Sequence, residues 1–468
     1  YMRITSIIIC VASSLFASYA NSANSIKPTN SNNVTNTIGI ENKSQLNKQT
    51  YYYKLDNGLS LVIKPDNKSP TAIQMVWYKV GSIDESSNKT GLSHILEHLM
   101  FKGTKKTPEF SKVMADLGAR ENAFTNNSYT VYHQQLPSTN LKEAIYLEAD
   151  RMRNLDLSKS KEFHEKFIKE LNVIQEERRL RVDNQPDNKL YEQLLATAYI
   201  ANGVRKPTIG WMDDIYNTKV CDARNWYNKY YHPNNATVVI VGDVNPAEVY
   251  NWVKDAYGVY KPEYNISYYN TQEPEQDGKR SVELHSKQVK DPSVYMLYKT
   301  PSYEDKPRHV LSLVLLSTLL SGYDYAYLDK KLVKQDKLLS SVSTSQGLIQ
   351  RAKSHFLIYA KPYTNPDSIP AIIQTQITDF AKNITDSELN RAKKQWVANN
   401  VYKKDSLLNT AMELGVAYTN GYDYKIFDDI QANIQKISID DIQEVVELYF
   451  TNKSLTVGTI IPENTKPL

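Results

Sequence analysis

Two α+β domains built on one plan, each an antiparallel-rich sheet packed with helices, are what this sequence predicts. Three observations lead there. A chain of 468 residues with 41% hydrophobic content and a net charge of only +4 is long enough for two or three globular domains. The order of strand-like and helix-like stretches before residue 262 returns after residue 279. The closing pieces also match: YYHPNNATVVIVGDV in the first half answers LYFTNKSLTVGTIIPE in the second.

In chain order, residues 1–24 read as a signal peptide. Arg3 gives a short positive start, residues 7–17 are mostly apolar, and Ser18, Ala20, Ser22 and Ala23 supply small residues for cleavage. The apolar run is too short for a stable membrane anchor, so the expectation is an exported protein, periplasmic or secreted. Cys10 lies in that segment, which leaves Cys221 without an intramolecular disulfide partner. Residues 25–48, rich in Asn, Ser, Thr and Lys, read as a flexible lead-in. No basic run stands out, so nucleic acid is not an expected partner.

The first domain is placed at 49–261. Residues 51–65 alternate around Asn57-Gly58, a hairpin signature. Residues 73–80 form a strand, further strands fall around 129–136, long helices run to about 230, and the Val/Ile-rich stretch 236–241 is a closing strand. Residues 262–279 carry Pro, Glu, Asn and Gln without hydrophobic period and read as a linker. The second domain, 280–468, has strands at 293–299 and 354–361, an apolar helix at 309–320, helices through 387–450, and a final strand at 454–461.

The chemistry concentrates at GLSHILEHLMFKGT, residues 91–104. His94 and His98 lie one turn apart on a helix, so both imidazoles can reach one metal ion. Glu97 between them is free to hold and deprotonate a water on that metal. The order H-x-x-E-H reverses the commoner zinc-protease motif. Leu92, Ile95, Leu96, Leu99 and Met100 cover the rest of the surface, and three ionisable groups on a buried helix need partners or a metal. A third ligand is sought in EKFIKELNVIQEERRLRVDNQP, residues 165–186, where Glu176 and Glu177 compete. Glu177 has Val173, Ile174 and Leu180 at helical spacing and is assigned to the apolar face. Glu176 has Asn172 and Arg179 there and is assigned to solvent. Glu170, seven residues before Glu177, shares its face and suits the role of orienting a ligand histidine.

These motifs, with FKGT and NAFTNNSYTVYHQQLP (122–137), resemble the inverzincin peptidases: pitrilysin, insulin-degrading enzyme, mitochondrial processing peptidase and half-length bacterial relatives. The resemblance spans roughly residues 51–463. It implies two similar domains per chain forming half of a clamshell chamber, with the metal site in the first only. It implies one Zn²⁺ per chain on His94, His98 and Glu177, with Glu97 as general base and Glu170 as a further glutamate of the catalytic site. The separation between His98 and Glu177 is about two residues longer than the family pattern, which keeps Glu176 as an alternative. Asn122, Ala123, Phe124 and Thr125 match the family's substrate-binding edge strand, which pairs with extended peptides. One departure stands out. Complete members carry an Arg and a Tyr, seven apart, in the later domain; here those positions are Val333 and Ser340. The expectation is therefore a zinc endopeptidase subunit acting on peptides or unfolded segments, whose homologous partner supplies the Arg and Tyr. The alternatives are an active homodimer and a non-catalytic assembly subunit of the same fold.

Overall fold

The computed structural model describes residues 49–463 apart from 269, 270, 352, 364, 404 and 405. The expected signal peptide and lead-in lie outside the described residues. The contacts divide these residues into two compact units. One combines residues 49–274 with Asn399–Ile426, and the other combines Glu275–Ala398 with residues 427–463.

The first unit holds a six-stranded sheet ordered β1-β2-β6-β3-β5-β4. Its strands are β1 (Tyr51–Lys54), β2 (Ser60–Pro65), β3 (Thr71–Tyr78), β4 (Arg120–Thr125), β5 (Thr130–Pro137) and β6 (Ala236–Gly242). β2 and β6 run parallel and every other pair is antiparallel. The 51–65 hairpin forms as its pattern predicts, turning at Gly58 with φ 85°. Asn57 pins that turn by donating to the carbonyls of Tyr257 and Tyr260 at 2.8 and 2.9 Å. Buried Leu, Ile and Val from β2, β3 and β6 join Leu92, Ile95, Leu96 and Leu99 in one core.

The second unit repeats this plan. Its sheet runs β7-β11-β8-β10-β9, from β7 (Arg280–Ser286), β8 (Ser293–Thr300), β9 (Leu339–Gln346), β10 (Ser354–Pro362) and β11 (Leu455–Pro462). β11 is parallel to β7 and the other pairs are antiparallel. Without β1, the first sheet has the same order and directions: β2, β6, β3, β5 and β4 stand where β7, β11, β8, β10 and β9 stand. The matched closing pieces of the sequence are β6 and β11, the strands that return to the sheet centre.

The chain does not divide linearly between the units. The helix Leu407–Thr419 falls in the stretch that the sequence places in the second half, yet it packs across β3 and β6 of the first sheet. Gly415 permits this approach, because a Cβ there would lie 2.0 Å from the Trp77 ring. Tyr418 of the same helix stacks on Tyr52, with ring centroids 4.9 Å apart. Residues 262–274 likewise belong to the first unit. Glu273 accepts from the backbone N–H groups of Ile200, Ala201 and Asn202, at 2.9 to 3.0 Å.

Candidate metal centre

The motif helix spans Leu92–Met100 and begins at Gly91, held at φ 88°. A side chain at Gly91 would strike the Ile209 carbonyl at 2.7 Å, so the first turn has no capping side chain of its own. Glu85 takes that place. Its two carboxylate oxygens accept from the N–H groups of Gly91 and Ser93 at 2.7 and 2.8 Å, the orphan donors of a helix start. Burial pushes Glu85 up to about 8 against the pull of those hydrogen bonds. Lys206 donates to the Ile83 and Glu85 carbonyls and ties this segment down. Thr90 is fixed through Asp214, 3.1 Å from its N–H.

The five apolar residues of the motif helix are buried, and His94 and Glu97 are buried with them. The helix Lys161–Arg178 comes alongside, capped by Ser160, which accepts from Phe163 N–H at 3.1 Å. Phe163, Phe167, Leu171 and Ile174 bury one face of it, and Glu170 and Glu177 stand at that face's rim. His94, His98 and Glu177 converge with their candidate ligand atoms all within 4.8 Å of one another. Oε2 of Glu177 lies 3.7 Å from His94 Nε2 and 3.2 Å from His98 Nε2.

Those spacings suit zinc. Bonds of about 2.0–2.2 Å in tetrahedral array put neighbouring donors about 3.3 Å apart. The observed distances bracket that edge. The two histidines are held in opposite protonation states in the metal-free cluster. Burial first, then the neighbouring His98, pulls His94 down to about 3, which keeps it a neutral imidazole. Burial also pulls on His98, but hydrogen bonds to Glu170 and Glu177 outweigh it and push His98 up to about 9. Burial opposes ionisation of Glu177, yet contacts with His98, His94 and Arg181 hold it at about 2. His98 is thus held as a cation between Glu170 and Glu177, and a divalent cation on Nε2 would take the place of the proton there.

Surrounding groups fix these donors. His98 Nδ1 lies 2.9 Å from Glu170 Oε1, and the other oxygen of Glu170 pairs with Lys102. This histidine–carboxylate contact presents Nε2 to the cluster. Glu97 accepts from the Thr125 hydroxyl through Oε2. Burial, the largest influence on it, pushes Glu97 up to about 7, close to where a base that later returns its proton should sit.

The sequence-predicted residues fall as follows. His94, His98, Glu177, Glu97 and Glu170 come together. Glu176 does not: its side chain is 65% exposed and pairs with Arg179, against 17% exposure for Glu177. The argument that separated the two glutamates needs correction, however. Ile174 is buried, but Val173 and Leu180 are exposed, so Glu177 sits at the edge of the apolar face rather than within it. Asn122, Ala123, Phe124 and Thr125 lie on β4, the edge strand of the sheet. Thr125 is engaged by Glu97, a contact the motif alone did not suggest. Sequence reasoning also missed Glu85, Lys102 and Arg181. Lys102 and Arg181 each follow a site residue by four, a spacing that could have flagged them. Glu85 precedes its helix through an irregular segment and carries no such signal.

Fold and site together define an α+β protein with an inverted zinc-peptidase motif on a buried helix. The chain belongs to peptidase family M16: the insulinase model of that family matches residues 61–211, and its inactive-domain model matches residues 220–396. The zinc protease PqqE of Helicobacter pylori is 32% identical over 418 residues, covering 87% of this chain and 92% of that one. The crystal structure of a protease from Helicobacter pylori superposes with a TM-score of 0.82 at 30% identity, covering 88% of this chain and all of the other. The periplasmic protease PqqL of Escherichia coli shares the fold, with a TM-score of 0.73 at 18% identity, and 47% of its length is covered. Among the described residues no helix is long and apolar enough to cross a membrane.

Proposed function

We propose that this protein is an exported zinc endopeptidase that cleaves peptides or unfolded segments and works with a homologous partner subunit. The observation that carries the reading is the convergence of His94, His98 and Glu177 with the buried carboxylate of Glu97 on the same helix. A zinc ion held by His94, His98 and Glu177 would supply Lewis acidity toward water near neutral pH. Glu97 takes the water proton and later hands it to the departing amine. Thr125 occupies one of its oxygens and aims the other. Glu170 and Lys102 keep the His98 ring oriented. β4 has no strand on its outer side among the described residues, so an extended substrate can add to it at Asn122–Thr125 through backbone hydrogen bonds, with little demand on sequence.

The partner follows from positions 333 and 340. Val333 is half-buried and has no donor. The Ser340 hydroxyl donates to the Lys361 carbonyl at 3.1 Å. Neither can hold a substrate carbonyl against the metal, and catalysis needs that placement. A homologous chain with its own Arg and Tyr would provide it. Support for a half-sized unit comes from PqqL, of whose length this chain covers 47%. The test is hydrolysis of a quenched peptide by the zinc-loaded protein alone and with a co-expressed paralogue. Turnover that rises with the paralogue and disappears with chelator is expected. High turnover by the chain alone, without gain from any partner, would leave the homodimer. Absence of bound zinc would leave an assembly subunit.

A further inference from the structure

The two oxygens of Glu177 are used differently. Oε2 faces both histidines, at 3.7 and 3.2 Å. Oε1 meets the Arg181 guanidinium at 3.0 Å. Arg181 stands one turn on, in the wider π-helical turn Arg179–Asp183. Its arginine neighbours are committed elsewhere. Arg178 holds Glu192 at 2.8 and 2.9 Å and the Gly210 carbonyl at 2.6 Å. Arg179 holds Glu176 and the Tyr216 hydroxyl. Glu170 follows the same scheme as Glu177, with one oxygen on His98 and the other on Lys102.

We infer that Arg181 is a positioning residue that restricts Glu177 to a single oxygen at the metal position. A carboxylate can bind a cation through one oxygen or two. With both, Glu177 would add a fifth donor and crowd the position that water must occupy beside three protein ligands. The Arg181 guanidinium disfavours that option, because turning Oε1 inward weakens a charge-assisted hydrogen bond. Glu177 itself is largely shielded while Arg181 is 61% exposed. The arginine therefore approaches the ligand from the solvent side and contributes little to the core.

The inference rests on the zinc reading above, and its test separates the two. Zinc-loaded wild type, Arg181→Met and Arg181→Lys are compared by X-ray absorption at the zinc edge, with circular dichroism to check the fold. In Arg181→Met the donor count is expected to rise from about four to about five, within the range open to catalytic zinc. Peptide turnover should fall through kcat more than KM. Arg181→Lys retains a cation at Oε1 and should keep the wild-type count. Arg181→Met that folds but no longer retains zinc, while the Lys variant does, would overturn the assignment, because Arg181 would then hold the ligand in place rather than limit it to one oxygen. An unchanged zinc shell in all three proteins would overturn it. So would an unchanged shell with KM raised only for acidic peptides, which would assign Arg181 to substrate. Wild type that binds no zinc would instead sink the metal reading itself.

Discussion

The two sheets share strand order and strand directions, yet the helices in equivalent places are built of different material. Between β3 and β4 stands Leu92–Met100, which buries His94 and Glu97. Between β8 and β9 stands Pro307–Ser321, where Val310, Leu311, Leu313, Val314, Leu315, Leu316, Leu319 and Leu320 are buried. The buried face of the second helix is apolar apart from Ser312, and its ionisable residues, Arg308 and His309, lie at its first turn, where they meet Asp441 and Tyr449. The first carries ionisable groups whose burial would cost several kcal/mol each if left alone. It is surrounded accordingly by Glu85, Glu170, Glu177 and Thr125. The fold supplies the scaffold twice; among the described residues the candidate ligand cluster occurs once, in the first unit.

The sharpest way to break that comparison is to change one atom in the first helix. Glu97→Gln keeps its shape and the three ligands but cannot accept a proton. Hydrolysis by the assembled enzyme should fall by about two or more orders of magnitude while zinc stays bound. Ser312→Ala in the equivalent helix, where the hydroxyl only returns to the Arg308 carbonyl at 2.9 Å, should leave turnover unchanged. Substantial activity in Glu97→Gln would remove the base from the reading.

The next contrast is between adjacent residues. Glu177→Gln removes the charge at the oxygen facing both histidines and should lower zinc affinity by about tenfold or more, the scale set by perturbing groups around a metal. Glu176→Gln alters an exposed pair with Arg179 and should retain full zinc after dialysis, read by mass spectrometry. A reversed result would mean that the geometry has the wrong glutamate.

Much of this was legible in the residues because it is local. The strand segments, the burial of the motif helix and the His94–Glu97–His98 face follow from periods of two or about four residues, whereas the edge strand at residues 122–125 was legible only through the family resemblance. The repeat was legible in its closing strands because β6 and β11 are central in their sheets and must be apolar. Two kinds of information were not there. Leu407–Thr419 joins the first unit through contacts with β3, more than 300 residues away in sequence, and with β6, more than 160 away, and nothing in an apolar helix says which sheet it will cover. The exposed Val173 and Leu180 look like core residues by type. Periodicity therefore chose Glu177 while misplacing its neighbours.

That helix gives a smaller, structural test. Gly415 lies against Trp77, and an added side chain has no room. Gly415→Leu should destabilise the first unit by about 1–3 kcal/mol, the usual cost of overpacking, seen as an earlier unfolding transition of the zinc-free protein. A substitution of similar bulk at Gly421, where a Cβ meets nothing within 4 Å, is not a matched control, because its φ of 87° strains any side chain. Gly278 lies in equally open space without positive φ and serves instead. Equal effects at 415 and 278 would show that the helix does not depend on close contact with the sheet.

The last contrast sets the two units apart by sign. In the first, the carboxyl of Glu85 is raised to about 8, chiefly by burial. A folded acid raised above its unfolded value binds its proton more tightly than the unfolded chain does. Its contribution is complete below about pH 4.3, the unfolded glutamate value, and is lost as pH rises toward 8. In the second unit, Asp441 is lowered. Burial opposes ionisation, but Arg308 and the N–H and hydroxyl of Ser438 outweigh it. Its contribution is present above about pH 3.9, the unfolded aspartate value, and is lost as pH falls through the lower folded value. Arg308 is more than half exposed, so this second term is small after screening. Urea unfolding of the metal-free chain between pH 3 and 8, followed by hydrogen exchange in each unit, resolves the two slopes. Glu85→Gln should flatten the decline of the first unit above pH 5, and Asp441→Asn should flatten the acid limb of the second. If both units instead changed stability in the same direction across this range, the charge at the start of the motif helix would not be what distinguishes them.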